Sequence, residues 1–279
     1  MKKQVGFIFL IMLAIIICSP VILLLSGSIT GVYELQGNLR ALRDGYSGFV
    51  KWQLIPRFPT LQAYVEILLD TPEFFVMFWN SVKIVVGVIG GQVLIAVTAA
   101  WGLAKGKFPG RKLLFWVYMI LMMMPFQVTM LSQYLLLDMW GFLDTLAAII
   151  VPGIFSTFPV FMMYRFFEGI PDSILEAAKI DGAGELKVFI TIGLPLGLPG
   201  IVSVMVLGFL EYWNLIEQPL TFLQTKSLWP LSLYLPNIEI DKVGIAFVAS
   251  IIAMMPSLLV FLYGQDYLEQ GIMASAVKE

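Results

Sequence analysis

The sequence predicts an all-α, polytopic membrane protein with six spanning helices, and three observations carry that prediction. Of its 279 residues 59% are hydrophobic and 13% charged, with a mean hydropathy of +0.89, far more apolar than a soluble domain of this length. Apolar runs of about 20 residues, enough to cross roughly 30 Å of hydrocarbon, recur along the chain. Between them the charges segregate, so that a purely basic loop is followed by a purely acidic one. Only helices and closed barrels satisfy every backbone polar group inside a bilayer, and runs this long are helices.

The spans are expected at about 5–27, 76–103, 113–136, 146–166, 197–216 and 243–264. Met1, Lys2 and Lys3 ahead of an apolar run resemble the start of a signal peptide, but the run is long enough to span, and we expect a retained helix. Ile17 before Cys18 is too bulky for a lipoprotein cleavage site. The outer segment, residues 28–75, is the longest polar stretch. In it Thr60 can cap a short helix that places Leu61, Tyr64, Val65 and Leu68 on one face, a stripe expected to pack on the protein or the membrane interface. Thr71 and Pro72 read as a cap and first turn leading into span two. Pro20, Pro125, Pro152, Pro159 and Pro256 lie inside spans and mark expected kinks. The loop after span two carries Lys105, Lys107, Arg111 and Lys112, and the loop after span three carries Asp138 and Asp144. The positive-inside rule then puts the first of these loops, both termini and residues 168–195 in the cytoplasm. No second soluble domain and no internal repeat is evident, so residues 1–279 are expected to form one transmembrane domain.

Composition also excludes chemistry. There is no histidine, which removes histidine-based acid–base and nucleophile sites and histidine-ligated metals. One cysteine allows no disulfide within the chain. A net charge of −2 argues against a nucleic-acid partner. No phosphate-binding glycine loop is present, so any ATP used is expected on another chain.

The most informative segment is the 20 residues from Glu176 to Pro195, a polar island between two apolar runs. A segment of this length and polarity must sit outside the hydrocarbon, where a soluble partner can reach it. Residues 174–180 read as a short helix started at Pro171 and ended by Gly182. A second helix begins near Glu185 and runs to Pro195. Ala177 and Ala178 leave the backbone open to close approach, and Glu176 and Asp181 offer carboxylates. Ser173 and Glu176 also fit a capping box, which gives Glu176 a purely local role, and the two roles can coexist.

The spacing Glu176-Ala177-Ala178, three residues, Gly182, nine residues, Ile192-x-Leu194-Pro195 resembles the EAA loop of membrane subunits of binding-protein-dependent ABC importers. Further stretches extend the resemblance to the MalG-like carbohydrate-uptake family across essentially the whole chain. They are Asn80-Ser81, KFPGRKLLF, MMMPFQV, Tyr164 to Phe167 with Ile170-Pro171, and Gln270-Gly271 to Lys278. The resemblance implies a type I ABC importer permease fold with a cytoplasmic coupling helix in a prokaryotic inner membrane. It also implies a second homologous permease, two ATPase subunits that hold ATP and Mg, and an extracytoplasmic sugar-binding protein. The chain itself would be a non-catalytic subunit binding no cofactor or metal. The family's tail can touch the ATPases, which gives Gln270, Gly271 and Lys278 a docking role beside that of a frayed terminus. Two positions depart from the pattern. Gly184 stands where the family often has a serine cap, and Glu211 to Glu217 stands near the family's tryptophan-asparagine-aspartate cluster.

Sugars are held by amides, carboxylates and hydroxyls, with aromatic rings under their C–H faces. Gln127, Thr129, Gln133 and Tyr134 in span three, Ser156 and Thr157 in span four, and Glu211, Tyr212, Trp213 and Asn214 in span five offer these groups. Polar residues at membrane depth point to a path, and helix–helix hydrogen bonding is the competing reading for each. The leading function is therefore the translocation subunit of an ATP-driven importer for an oligosaccharide or related glycan. The alternatives are an ABC permease for another solute and an ion-coupled carrier using Glu211, Lys83 or Glu217.

Overall fold

The long apolar runs become helices where the sequence places them. The computed structural model describes residues 2–39, 53–235 and 242–276. Helix α1 (Lys2–Ser28) is followed by α2 (Val32–Asn38), α3 (Gln62–Val65) and α4 (Pro72–Lys105). Next come α5 (Arg111–Met122), α6 (Phe126–Met139), α7 (Ala147–Ile154) and α8 (Thr157–Glu168). The chain continues through α9 (Asp172–Ile180), α10 (Glu185–Val188), α11 (Leu194–Trp213), α12 (Glu217–Phe222) and α13 (Val243–Ala276). Among the described residues five stretches are long and apolar enough to cross a membrane, and a sixth is added if α5 and α6 count as one broken span.

That sixth span, expected over 113–136 with a kink at Pro125, is broken rather than merely kinked. α5 and α6 meet at 102°, at Met123-Met124-Pro125. Pro125 has no N–H and holds extended backbone (φ −68°, ψ 149°), and a residue before proline avoids the helical region. Span four is interrupted too. Ser156 takes an extended ψ of 138° between α7 and α8, with Pro152 before it and Pro159 in the first turn after it, where a missing N–H costs nothing. Pro20 and Pro256 stay inside α1 and α13.

The chain forms two compact units. In the first (Met1–Phe78 with Leu233–Pro256), Phe247 lies so close to Gly27 that a Cβ there would sit 2.5 Å from its ring. Thr30 bridges to Pro59, and the Glu34 carboxylate accepts the N–H groups of Arg57 and Phe58. The hydroxyl of Thr60 accepts the N–H of Gln62 at 3.1 Å. Of the expected stripe, Tyr64 turns inward and donates to the Ser28 hydroxyl at 3.0 Å, whereas Leu61, Val65 and Leu68 are exposed and Ala63 and Ile67 are the buried positions. The turn widens to π geometry over Glu66–Asp70. Pro72 opens α4 as expected.

In the second unit (Trp79–Ser232 with Ser257–Glu279), α4, α8, α9 and α11 share one core, built around Ala100, Leu103, Met163, Phe167, Leu175 and Val204. Small residues let the helices touch: a Cβ on Gly197 of α11 would lie 2.4 Å from the Phe167 ring of α8. Without a hydrophobic drive between helices in lipid, such close packing is what associates them. Asn80 donates to the carbonyls of Ser227 and Trp229, and Ser81 accepts the N–H of Leu231. These two side chains fasten the connection after α12 to α4. Asp144 (φ 54°) accepts the N–H groups of Gln224 and Thr225 and the Thr225 hydroxyl. These bonds, the Thr225 hydroxyl foremost, hold its carboxyl below the usual range.

Candidate functional site

The polar loop folds as a helix, a turn and a second helix. α9 starts two residues earlier than expected, at Asp172 after Pro171, and no side chain caps it. The Ser173–Glu176 capping box is therefore not formed. Helix α9 ends at Asp181, and Gly182 follows with φ +82°. The Gly182 N–H donates to Lys179 O at 3.0 Å and the Ala183 N–H to Ala178 O at 3.0 Å. This is a complete Schellman ending, which needs the left-handed backbone that glycine adopts without penalty. Extended Gly184 precedes α10, so glycine serves at this cap. The second helix does not stop at Pro195. It passes through a π turn (Phe189–Gly193), closed by the Leu194 N–H on Phe189 O, straight into α11. Proline cannot supply the next rung, and the helix runs on to Trp213.

The predicted coupling residues divide by direction. Glu176, Ala177, Asp181, Gly182 and Pro195 are exposed, while Ala178, Ile192 and Leu194 are half-buried and pack against the core. Lys179 pairs with Glu185 across the turn at 3.2 Å. Ile180 and Leu186, 87% and 71% exposed, add an apolar face that the polar character of the loop had hidden.

A tether missed by the sequence reading holds the loop in place. Lys105, the last residue of α4, donates to Ile170 O at 2.6 Å and to Asp172 Oδ1 at 2.7 Å. Its side chain is 10% exposed. The hydrogen bond and charge of Lys105, with Lys107 and Arg111 nearby, hold the Asp172 carboxyl below its ordinary range. Arg111 in turn donates to the carbonyls of Ala104 and Gly106 at the end of α4. These groups, with Glu176 and Lys179, wall a cavity of about 470 Å³. The available signal was the spacing: a lysine ending one span and an aspartate opening the inner loop.

A second cavity, of about 390 Å³, opens where the two broken spans face the end of α11. Six of the predicted path residues line it: Thr129, Gln133, Ser156, Thr157, Glu211 and Tyr212. Phe126, Phe155, Phe158 and Gln218, unforeseen, complete its aromatic and amide lining. The other four predicted residues are elsewhere. Gln127 donates to both Glu217 oxygens at 2.9 and 3.0 Å. Tyr134 packs on the small core of Leu137, Ala148 and Phe222. Trp213 is buried and stacked on Phe209 at 5.3 Å, and Asn214 bonds back to Leu210 O. A helical period puts only every third or fourth residue on one face, so a run of four polar neighbours could not all point inward. In the tail, Gln270 and Gly271 continue α13, with Gln270 exposed, and Lys278 lies outside the described residues.

Residues 92–274, which hold both the loop and the cavity, match the family model of binding-protein-dependent transport system inner membrane components. The chain belongs to this family. Among curated proteins, it is 28% identical to an arabinooligosaccharide transport system permease protein of Halalkalibacterium halodurans, over 78% of this chain and 80% of that one. It is 27% identical to a polygalacturonan/rhamnogalacturonan transport system permease protein of Bacillus subtilis, over 97% and 96%. Its fold is shared with a chain of a bacterial ABC transporter that imports the acidic polysaccharide alginate (TM-score 0.81, 22% identity, 95% and 96% covered). As an inner membrane component of an ABC importer the chain is a transporter subunit, and its apolar helices are membrane spans. The family match begins within α4 and takes in Lys105, so the tether and the loop both lie in the matched region.

Proposed function

We propose that this chain forms part of the translocation path of an ATP-driven importer for an oligosaccharide or related glycan, and that α9 is its coupling helix. The observation that carries the reading is the inner loop. It has a rigid Schellman end at Gly182, its backbone is anchored by Lys105, and its outward side presents Glu176, Ala177, Ile180 and Leu186. Exposed isoleucine and leucine on a polar loop ask for a protein partner that removes them from water, at about 25 cal/mol per Å² of apolar surface. In this reading the loop and both termini are cytoplasmic. Two ATPase subunits bind ATP and Mg and dock the loops of this chain and of a second, homologous permease. An external binding protein delivers the glycan, a substrate class for which the relative named for arabinooligosaccharide transport speaks. The chain contributes no catalysis, and the helical tail from Gln270 is a further contact with the ATPases.

Affinity purification of the tagged chain from detergent-solubilised membranes tests this. The wild type is expected to bring down a second permease and an ATPase. Glu176→Lys and Gly182→Asp are expected to lose the ATPase and transport while keeping the permease partner. Normal transport by either variant would sink the docking assignment.

A further inference from the structure

We infer that the 390 Å³ cavity accepts glycans lacking acidic groups, neutral or amino-bearing, and that Glu211 is the residue that selects against uronates. This rests on the reading of the cavity as a glycan path. The volume lies in the range of about 300–1,000 Å³ usual for small-molecule sites. The lining pairs aromatic faces at Phe126, Phe155 and Phe158 with hydroxyl and amide groups, which suits the C–H faces and hydroxyls of a sugar ring. What it lacks decides the class. Among the described residues no lysine or arginine lines it, and the one carboxylic acid that does is Glu211.

Six of this unit's described cations are engaged or gathered elsewhere, and Lys83, Lys112 and Lys187 are not among the lining residues either. Lys105, Lys107, Arg111 and Lys179 wall the other cavity. Arg165 pairs with Glu168, and Lys226 stands over the Trp229 ring. A uronate entering the cavity would leave water without a cationic partner and meet a carboxyl group. An unpaired buried charge is strongly disfavoured, and placing like charge against the wrong ligand is how specific sites reject it. A neutral ring pays neither penalty, and an ammonium group would find a partner in Glu211. Neither the shared fold with an importer of an acidic polysaccharide nor 27% identity to a permease named for polygalacturonan transport is an obstacle, because selectivity belongs to the side chains placed on a fold.

The test uses the complete importer in proteoliposomes, with its own permease partner, ATPases and binding protein. Uptake of a neutral oligosaccharide is compared with that of its C6-oxidised, uronate-containing counterpart of the same linkage and length. Comparing variants with wild type under one binding protein cancels that protein's own preference. Wild type is expected to take up the neutral sugar at least about tenfold faster. Glu211→Lys is expected to narrow that ratio by about tenfold and Glu211→Gln by less. Thr157→Lys, which places a cation on the same wall, is expected to act in the same direction if Glu211→Lys fails to assemble. Equal wild-type uptake of both sugars, or a ratio that neither lysine variant moves, overturns the charge selection and leaves the glycan reading standing. Uptake of neither sugar by an assembled, ATP-hydrolysing importer overturns both.

Discussion

Lys105 sits where a charge is expensive to keep, at the end of a membrane helix with its side chain 10% exposed, and its two short bonds explain why it stays. Both go to the start of the inner loop, one to a carbonyl and one to a carboxylate. It therefore joins α4 to α9 as a positioning residue. Asp172 is largely exposed, so the ion pair alone contributes little; the geometric hold on Ile170 O matters more. Lys105→Met is expected to cost about 1–3 kcal/mol of the anchored loop geometry, the value of hydrogen bonds from a charged donor. That corresponds to roughly 5–150-fold in coupling between sites. The measurement is sugar transported per ATP hydrolysed in proteoliposomes. A fall in that ratio with ATPase activity and expression retained fits a tether, whereas equal loss of both, or no change, would show that the lysine serves only the fold. Arg at this position is expected to restore only part of the coupling, since its larger planar guanidinium keeps the charge but not the shape of the compact ammonium that reaches both acceptors.

Among the elements, α11 shows how much of the packing depends on absent side chains. Gly197 and Gly200 lie against Phe167 and Phe166 of α8, with any Cβ 2.4 and 2.5 Å from those rings. Gly197→Val is expected to overpack this contact and cost about 1–3 kcal/mol, read as a lower melting temperature of the purified chain. An unchanged melting temperature would mean that α8 and α11 can separate freely. This contact was invisible in the sequence, because a glycine inside an apolar run is also consistent with lipid. The element order itself was legible: six apolar runs, Pro72 at a helix start and Gly182 at a helix end all stand where their chemistry requires. Legibility failed where two backbone rules compete. Met123-Met124-Pro125 reads as a kink by composition, but the full 102° bend depends on what α5 and α6 pack against. In the stripe from Leu61 to Leu68, the period alone could not separate Tyr64, which bonds to Ser28, from the exposed Leu61, Val65 and Leu68. At the cavity, polar side chains in spans three, four and five pointed to helices that line it, and helical phase then separated Glu211 and Tyr212 from their neighbours Trp213 and Asn214.

For the whole molecule, the coupling proposal stands or falls with orientation. Lysine and arginine bias in short loops sets topology, and the two shortest loops are opposite in sign: four cations follow span two, and Asp138 and Asp144 follow span three with no cation between them. The structure adds a second asymmetry. The basic residues gather around the end of α4 and the inner loop, whereas Asp144 fixes the Gln224–Thr225 backbone. If the basic side faces the cytoplasm, the loop meets ATPases and the cavity side faces the binding protein. Cys18 is the chain's one cysteine, so a Cys18→Ser background allows single reporters. A cysteine replacing exposed Lys187 is expected to react with a membrane-impermeant maleimide only after the cells are opened. One replacing exposed Lys226 is expected to react in intact cells. The reverse pattern would place α9 outside, beyond the reach of any ATP-driven partner, and would remove the coupling role from Glu176 and Gly182 together.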